Sequence, residues 1–251
     1  MISSNQIKYV RSLQQKKFRQ KYNNFIVEGD KMAVEIMRER VAEVEQVFAL
    51  ASWIETHKKE LAFCLNKTII VSEKELGRIS GLKSPNQVLV ILRQWIPAID
   101  EAQLSRQFSL YLDDIQDPGN MGTILRIADW FGIDYVFCSA GCAELYNPKV
   151  LQASMGAFLR VKVLRTELEQ LRERLPALPL LGAMMEGDNV FAAAGLDKGL
   201  IIIGNEGRGI AEERQALLTH RLAIPRAEGR RAESLNAAVA TGILCAALLN
   251  R

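Results

Sequence analysis

The sequence predicts a two-part α/β protein: a small N-terminal α/β unit, then a larger unit built on a mainly parallel sheet. Three observations carry this. Short runs rich in Val, Ile and Leu alternate with helical patterns along most of the 251 residues, as expected of strands joined by helices. A proline-bearing stretch, Ile96-Pro97-Ala98-Ile99-Asp100-Glu101, breaks that alternation and reads as a linker. The charge balance also changes there: residues 1–97 carry 16 Lys and Arg against 10 Asp and Glu, and residues 98–251 carry 16 against 19. Domains are therefore expected over 1–97 and 106–251.

In order along the chain, residues 5–20 read as one basic helix with Ile7, Val10 and Phe18 as its apolar positions. Phe25-Ile26-Val27 is a short strand, and Glu28-Gly29-Asp30 leads into a helix ending near Arg40. A strand over 44–50, a helix over 53–59, a strand over 68–71, a helix over 73–80 and a buried-type strand over 87–92 complete the first part. The second part opens with a strand over 109–113, a polar loop and a helix reaching Phe131. Strands follow over 134–139, 161–164, 178–184, 200–203 and 221–224, with a helix over 167–175 before the third of these. A helix over 234–249, apolar almost all round, ends the chain; such a helix is expected to be buried.

Composition excludes several classes. With 49% apolar and 24% charged residues, the chain is neither disordered nor fibrous. The longest uncharged apolar stretch, 237–249, is shorter than the roughly 20 residues of a membrane-spanning helix. The amino-terminal residues lack an apolar core of the secretory type. Cys64, Cys138, Cys142 and Cys245 are scattered and read as small buried hydrophobes in a reducing cytoplasm, with no metal site. The basic residues Lys8, Arg11, Lys16, Lys17, Arg19 and Lys21 all precede the first acidic residue, Glu28. Such an end suits a polyanion, or a solvated helix face.

Ligands of an open parallel sheet bind beyond the carboxyl ends of its strands. Three polar loops fall there: Asp117-Pro118-Gly119-Asn120-Met121-Gly122 with Arg126 beyond it; Gly204-Asn205-Glu206-Gly207-Arg208-Gly209; and Ile224-Pro225, a basic loop, then Glu233-Ser234-Leu235-Asn236. None is a dinucleotide fingerprint or a P-loop, and no G-x-S-x-G or H-E-x-x-H occurs. His57 and His220 stand outside any motif. Singly, each residue has a structural explanation, Ser234 as a helix N-cap for example; jointly, three polar loops on three strand ends argue for a site.

These segments resemble the three signature motifs of the SpoU (TrmH) family of RNA 2′-O-ribose methyltransferases, of the SPOUT class. Asn120-Met121-Gly122 through Arg126 is similar to the first, Ile203-Gly204-Asn205-Glu206-Gly207 to the second, and Ile224-Pro225 with Glu233-Ser234-Leu235-Asn236-Ala237-Ala238-Val239-Ala240 to the third. Asn147-Pro148-Lys149, Ala153-Ser154-Met155-Gly156-Ala157, Met185-Glu186-Gly187 and, in the first half, Phe25-Ile26-Val27-Glu28-Gly29 also look like family sequence.

The resemblance implies a parallel-sheet methyltransferase domain with a C-terminal trefoil knot, preceded by a small RNA-binding α/β domain, in a homodimer. S-adenosylmethionine would be the cofactor, held at Gly204, Ile224 and Leu235, with Arg126, Asn120, Glu206, Ser234 and Asn236 as the catalytic and structural polar set. The substrate would be a ribose 2′-hydroxyl in structured RNA, ribosomal RNA being favoured over transfer RNA. Lys8, Arg11, Lys16, Lys17 and Arg19 would grip phosphates. So would Arg226, Arg230 and Arg231, which lie in a loop that is longer and more basic than the family's usual one. A non-catalytic RNA-binding protein with a decayed methyltransferase domain is the alternative; a nucleotide-dependent oxidoreductase would need the missing fingerprint.

Overall fold

Two sheets organise the chain, described over residues 2–193, 195–229 and 234–249 of a computed structural model. The first part holds α1 (Ser4–Ser12), α2 (Lys16–Tyr22), β1 (Asn24–Glu28), α3 (Asp30–Glu39), β2 (Val44–Ala49), α4 (Ala51–Thr56), β3 (Thr68–Ile70), α5 (Glu73–Ile79) and β4 (Val88–Arg93). Its sheet has the order β1-β4-β2-β3. β4 runs antiparallel to β1 and β2, and β3 pairs parallel with β2. As an interior strand, β4 buries Val88, Leu89, Val90, Ile91 and Leu92, which explains the unbroken apolar run.

The single helix expected over 5–20 is two. Ser3 and Gln6 form a capping box that starts α1. The chain then turns through Leu13, which is fully buried. Arg19 folds back from α2, and its Nη1 donates to the carbonyls of Leu13 and Gln14, both at 2.9 Å. Carbonyls at a helix end need such donors. Arg19 is consequently 2% exposed and leaves the expected RNA-gripping set. Lys8, Arg11, Lys16 and Lys17 are exposed.

The second part holds α6 (Glu101–Leu104), β5 (Phe108–Leu112), α7 (Pro118–Trp130), β6 (Tyr135–Cys138), α8 (Pro148–Ser154), β7 (Lys162–Arg165), α9 (Leu168–Arg174), β8 (Leu180–Asn189), β9 (Gly199–Ile203), α10 (Glu212–Gln215), β10 (His220–Ala223) and α11 (Ala237–Leu249). All of its strand pairs are parallel, in the order β10-β8-β9-β5-β6-β7. The order reverses between β5 and β9: the chain moves outward from β5 through β6 to β7, then resumes on the other side. β8 is longer than the expected 178–184, because its far end pairs again with β10 after a register shift, Leu222 opposite Asp188 and Ala223 opposite Asn189.

The two compact units are not contiguous in sequence. The first runs up to Trp95 and also takes in Tyr146–Leu159, so α8 belongs to it; the second takes Ile96–Leu145 and the chain from Arg160 onward. Tyr146 ties its segment to the first unit. Its hydroxyl donates to the Trp95 carbonyl at 2.7 Å and accepts from the Trp95 N–H at 3.0 Å. Its ring centroid lies 4.3 Å from that of Phe25, and Phe158 stacks on Trp95. All four cysteines are buried and free, and no described helix is long and apolar enough to cross a membrane.

Candidate active site

The reversal between β5 and β9 is where a parallel sheet opens a crevice. β5 ends at Leu112 and the chain turns through Asp113 and Asp114, the latter in the left-handed region at φ 57°. α7 then starts on Asp117, whose carboxylate accepts from the Asn120 N–H at 2.8 Å, with Pro118 in the first turn. An Asp N-cap followed by Pro is a strong helix start. Asn120 is thereby fixed in the first turn of α7, just beyond the end of β5.

After β9 the chain makes a closed loop. Asn205 and Gly209 exchange main-chain hydrogen bonds at 3.0 and 2.8 Å, and the Asn205 side-chain oxygen accepts from the N–H groups of Gly207 and Arg208. Its amide donates to the Asp114 carbonyl at 2.9 Å, stitching this loop to the one after β5. Gly204 admits no other residue: a Cβ there would lie 2.3 Å from the main chain of Gly209 and Ile210.

Glu206 sits on this loop, and its Oε1 accepts from the Asn120 amide at 2.5 Å. The Asn120 side-chain oxygen accepts in turn from the Asn236 amide at 2.9 Å. One residue from each of the three polar loops therefore belongs to a single chain of hydrogen bonds, Asn236 to Asn120 to Glu206. Asn236 is also the N-cap of α11, its side-chain oxygen accepting from Ala238 and Val239. Ser234 was the expected cap; α11 starts three residues later, and Ser234 is exposed with no hydrogen bond to a described residue.

Arg126 stands apart from this chain. It is exposed on α7, and its side chain makes no hydrogen bond or ion pair with a described residue. Six residues along a helix do not bring it onto the Asn120 face, so the two asparagine amides orient one another and Glu206, not Arg126.

Beneath the loops lies a polar floor that sequence reasoning missed. Asp113, 1% exposed, accepts from the Ala211 N–H at 2.9 Å and from Arg214, which also donates to Glu167 at 2.7 Å. Burial opposes the Arg214 charge, but Tyr111, Asp113 and Glu167 outweigh it and hold the guanidinium more basic than usual. Burial likewise pushes the Tyr111 hydroxyl above its ordinary value. The available signal was the Asp113-Asp114 pair at the end of a buried strand, where a carboxylate needs partners.

The residues expected to hold a cofactor lie at the same loop ends. Gly204 and Ile224 are half-buried and Leu235 is exposed. Their main-chain N–H and C=O groups make no hydrogen bond with another described residue. Such groups at strand ends suit the hydrogen-bonding edge of a purine and the polar end of an amino acid, so the residues present fit an adenosyl amino-acid ligand. Arg226 is exposed but partnered; Arg230 and Arg231 lie outside the described residues.

An α/β sheet with a polar site at its strand reversal, joined to a second small α/β unit, defines a two-domain protein with a ligand site at its strand ends, and comparison makes the relation definite. The chain belongs to the SpoU rRNA Methylase family, whose profile matches residues 107–246. Residues 4–90 match the MRM3-like substrate binding domain. Across 95% of its length the chain is 27% identical to the 23S rRNA (guanosine(2553)-2′-O)-methyltransferase RlmP of Bacillus subtilis, covering 93% of that protein. A protein of the TrmH family of RNA methyltransferases from Porphyromonas gingivalis superposes with a TM-score of 0.86 at 34% identity, over 100% of this chain and 99% of that one. The fold is shared as well with AviRb of Streptomyces viridochromogenes, solved with AdoMet, at a TM-score of 0.83 and 22% identity, covering 99% and 98% of the two chains.

Proposed function

We propose that this protein is an S-adenosylmethionine-dependent methyltransferase acting on a ribose 2′-hydroxyl of structured RNA, with ribosomal RNA as the preferred substrate class. The observation that carries it is the hydrogen-bonded chain Asn236–Asn120–Glu206, which draws three strand-end loops into one site. Membership of the SpoU family and the 23S rRNA activity in the name of the Bacillus relative support the same reading. A cytoplasmic location accords with four free, buried cysteines.

When bound, S-adenosylmethionine supplies a methyl group on a sulfonium. Gly204, Ile224 and Leu235 would hold it through their main chain. The protein's own task is to place a weakly acidic sugar hydroxyl in line and to stabilise charge on its oxygen. Arg126 is assigned to that oxygen. A guanidinium scarcely ever loses its proton, so it acts as a fixed cation beside the developing alkoxide. Glu206 has one oxygen committed to Asn120 and the other available to take a proton. Asn120 and Asn236 hold the loops in register, with Ser234 beside them.

Residues 1–97 are assigned to RNA binding and 106–251 to methyl transfer. Lys8, Arg11, Lys16 and Lys17, together with Arg226, Arg230 and Arg231, would contact phosphates. Replacing the four N-terminal residues with Gln is expected to lower the slope of log affinity against log salt by just under one unit for each duplex phosphate that is no longer neutralised. Filter binding over a salt series reads this, and an unchanged slope removes them from the interface.

The trefoil knot is inferred from the path of the chain. β10 lies at the sheet edge beyond β8, yet α11 packs on α7 and on the turn after β8, a return toward the sheet centre that supports this reading. A homodimer is inferred from the outer surface of the same helices. Val239 is 52% and Trp130 83% exposed; Val239, Ile243 and Gly242 with Thr123 and Ile127 line an open groove of about 500 Å³. An apolar helix face left open in one chain is suited to a second copy. Val239→Asp is expected to convert a dimer into a monomer in analytical ultracentrifugation; a wild-type monomer at micromolar concentration would overturn the inference.

The direct test is incubation of the protein with labelled S-adenosylmethionine and total RNA from a strain that lacks it, followed by mapping of ribose methyls. A new 2′-O-methyl nucleotide is expected. Cofactor binding without transfer would instead favour a decayed, RNA-binding role, and absence of both would sink the assignment.

A further inference from the structure

The corner between α1 and α2 carries aromatic rings as well as charge. Phe18 and Tyr22 are four residues apart and so lie on one face of α2. Their ring centroids are 6.2 Å apart and their planes differ by only 11°. Tyr9 sets its ring edge-on to Tyr22 at 5.1 Å and is itself fixed by the Asn24 amide, which donates to its hydroxyl at 2.8 Å. The Lys17 ammonium lies 4.9 Å from the centre of the Phe18 ring, and that of Lys21 lies 5.4 Å from the centre of the Tyr22 ring. Phe25 and Phe48 of this unit are fully buried, whereas Tyr22, set among these rings and lysines, stays 41% exposed.

We propose that Tyr22, with Phe18 beside it, is a stacking platform for an unpaired base of the RNA substrate, and that Lys17 and Lys21 move from the rings to the flanking phosphates when the base arrives. Rigid aromatic faces among cations are how single-stranded RNA is held without a sequence code. No carboxylate precedes Glu28 in the sequence; Glu45 acts on the Tyr9 hydroxyl from β2, so the lysines of α2 outnumber the acidic group at this corner. Cation–π contacts at an exposed site are weak and so give way to a phosphate. The platform would let the first unit recognise a loop or bulge and so bring an unstacked nucleotide to the methyltransferase unit. It rests on the RNA-binding role proposed for residues 1–97.

The test uses the full chain with two labelled probes, hexauridylate and a blunt RNA duplex, and the variants Tyr22→Leu, Tyr22→Phe and Tyr22→Trp. Tyr22→Leu is expected to weaken hexauridylate binding at least about fivefold, the lower end of the loss for one stacked base, without changing its salt slope or its affinity for the duplex. Tyr22→Phe and Tyr22→Trp should bind like the wild type, and the fluorescence added by the new tryptophan should be quenched by hexauridylate. S-adenosylmethionine affinity and melting temperature should be the same in all. Equal losses on both probes, or none on either, would overturn the platform while leaving RNA binding in place. A wild-type protein that binds neither probe would overturn the RNA-binding role itself.

Discussion

Replacing Arg126 with Ala is expected to slow methyl transfer at least about a hundredfold, the usual cost of removing a preorganised group from a developing oxyanion. S-adenosylmethionine affinity should be unchanged. The expectation follows from where the residue is. Arg126 is exposed, holds no described partner and supports no part of the fold, so its removal leaves the loops and the sheet intact. Single-turnover rates with saturating RNA, beside calorimetric titration of the cofactor, separate the two quantities. A rate close to wild type would remove Arg126 from the chemistry. A matched loss of cofactor affinity would mean that it serves binding instead. Arg126→Lys should recover little, because an ammonium lacks the planar fork of donors.

The second large effect is expected at Gly204. An Ala there would thrust its Cβ to 2.3 Å from the main chain of Gly209 and Ile210, where no flexible side chain can yield. The loop after β9 must then shift and draw Glu206 away from Asn120. Overpacking of this kind costs about 1–3 kcal/mol, which lowers the melting temperature by several degrees. Cofactor affinity should fall by an order of magnitude or more, at about 1.4 kcal/mol for each factor of ten. Gly207 provides the control within the same loop: a Cβ there meets only the Asn205 side chain at 3.6 Å, an ordinary contact, so Gly207→Ala should be near neutral. If both variants behave alike, the close approach at Gly204 is not what shapes the loop.

How much was legible beforehand varies with the range of the interaction. Strands such as β4 and β9 were visible because their burial shows in their own residues. The three loops could be placed at strand ends by counting along the chain, and their joint meaning came from resemblance. What bonds to what was not visible: Asn120 and Glu206 are 86 residues apart, and no periodicity links them. The break between α1 and α2 depends on a buried Leu13 and on Arg19 turning inward, which local charge counting reads as one exposed basic helix. The cap of α11 was misplaced by two residues because Ser and Asn are almost equally good caps; the hydrogen bond to Asn120 is what selects Asn236. For α8 the signal was present in Asn147-Pro148, a cap and a first-turn proline, yet nothing local says that this helix joins the first unit.

That last feature governs the order in which the protein can be made. The first unit gains Tyr146 and Phe158, two rings of its aromatic wall around Phe25 and Trp95, only after residue 159 has left the ribosome. Until then the nascent N-terminal half waits incomplete while β5 and β6 of the other sheet are synthesised. A gene fragment cut at the linker would encode a unit missing one wall, so the two halves are not cassettes that can be exchanged between relatives at a single junction.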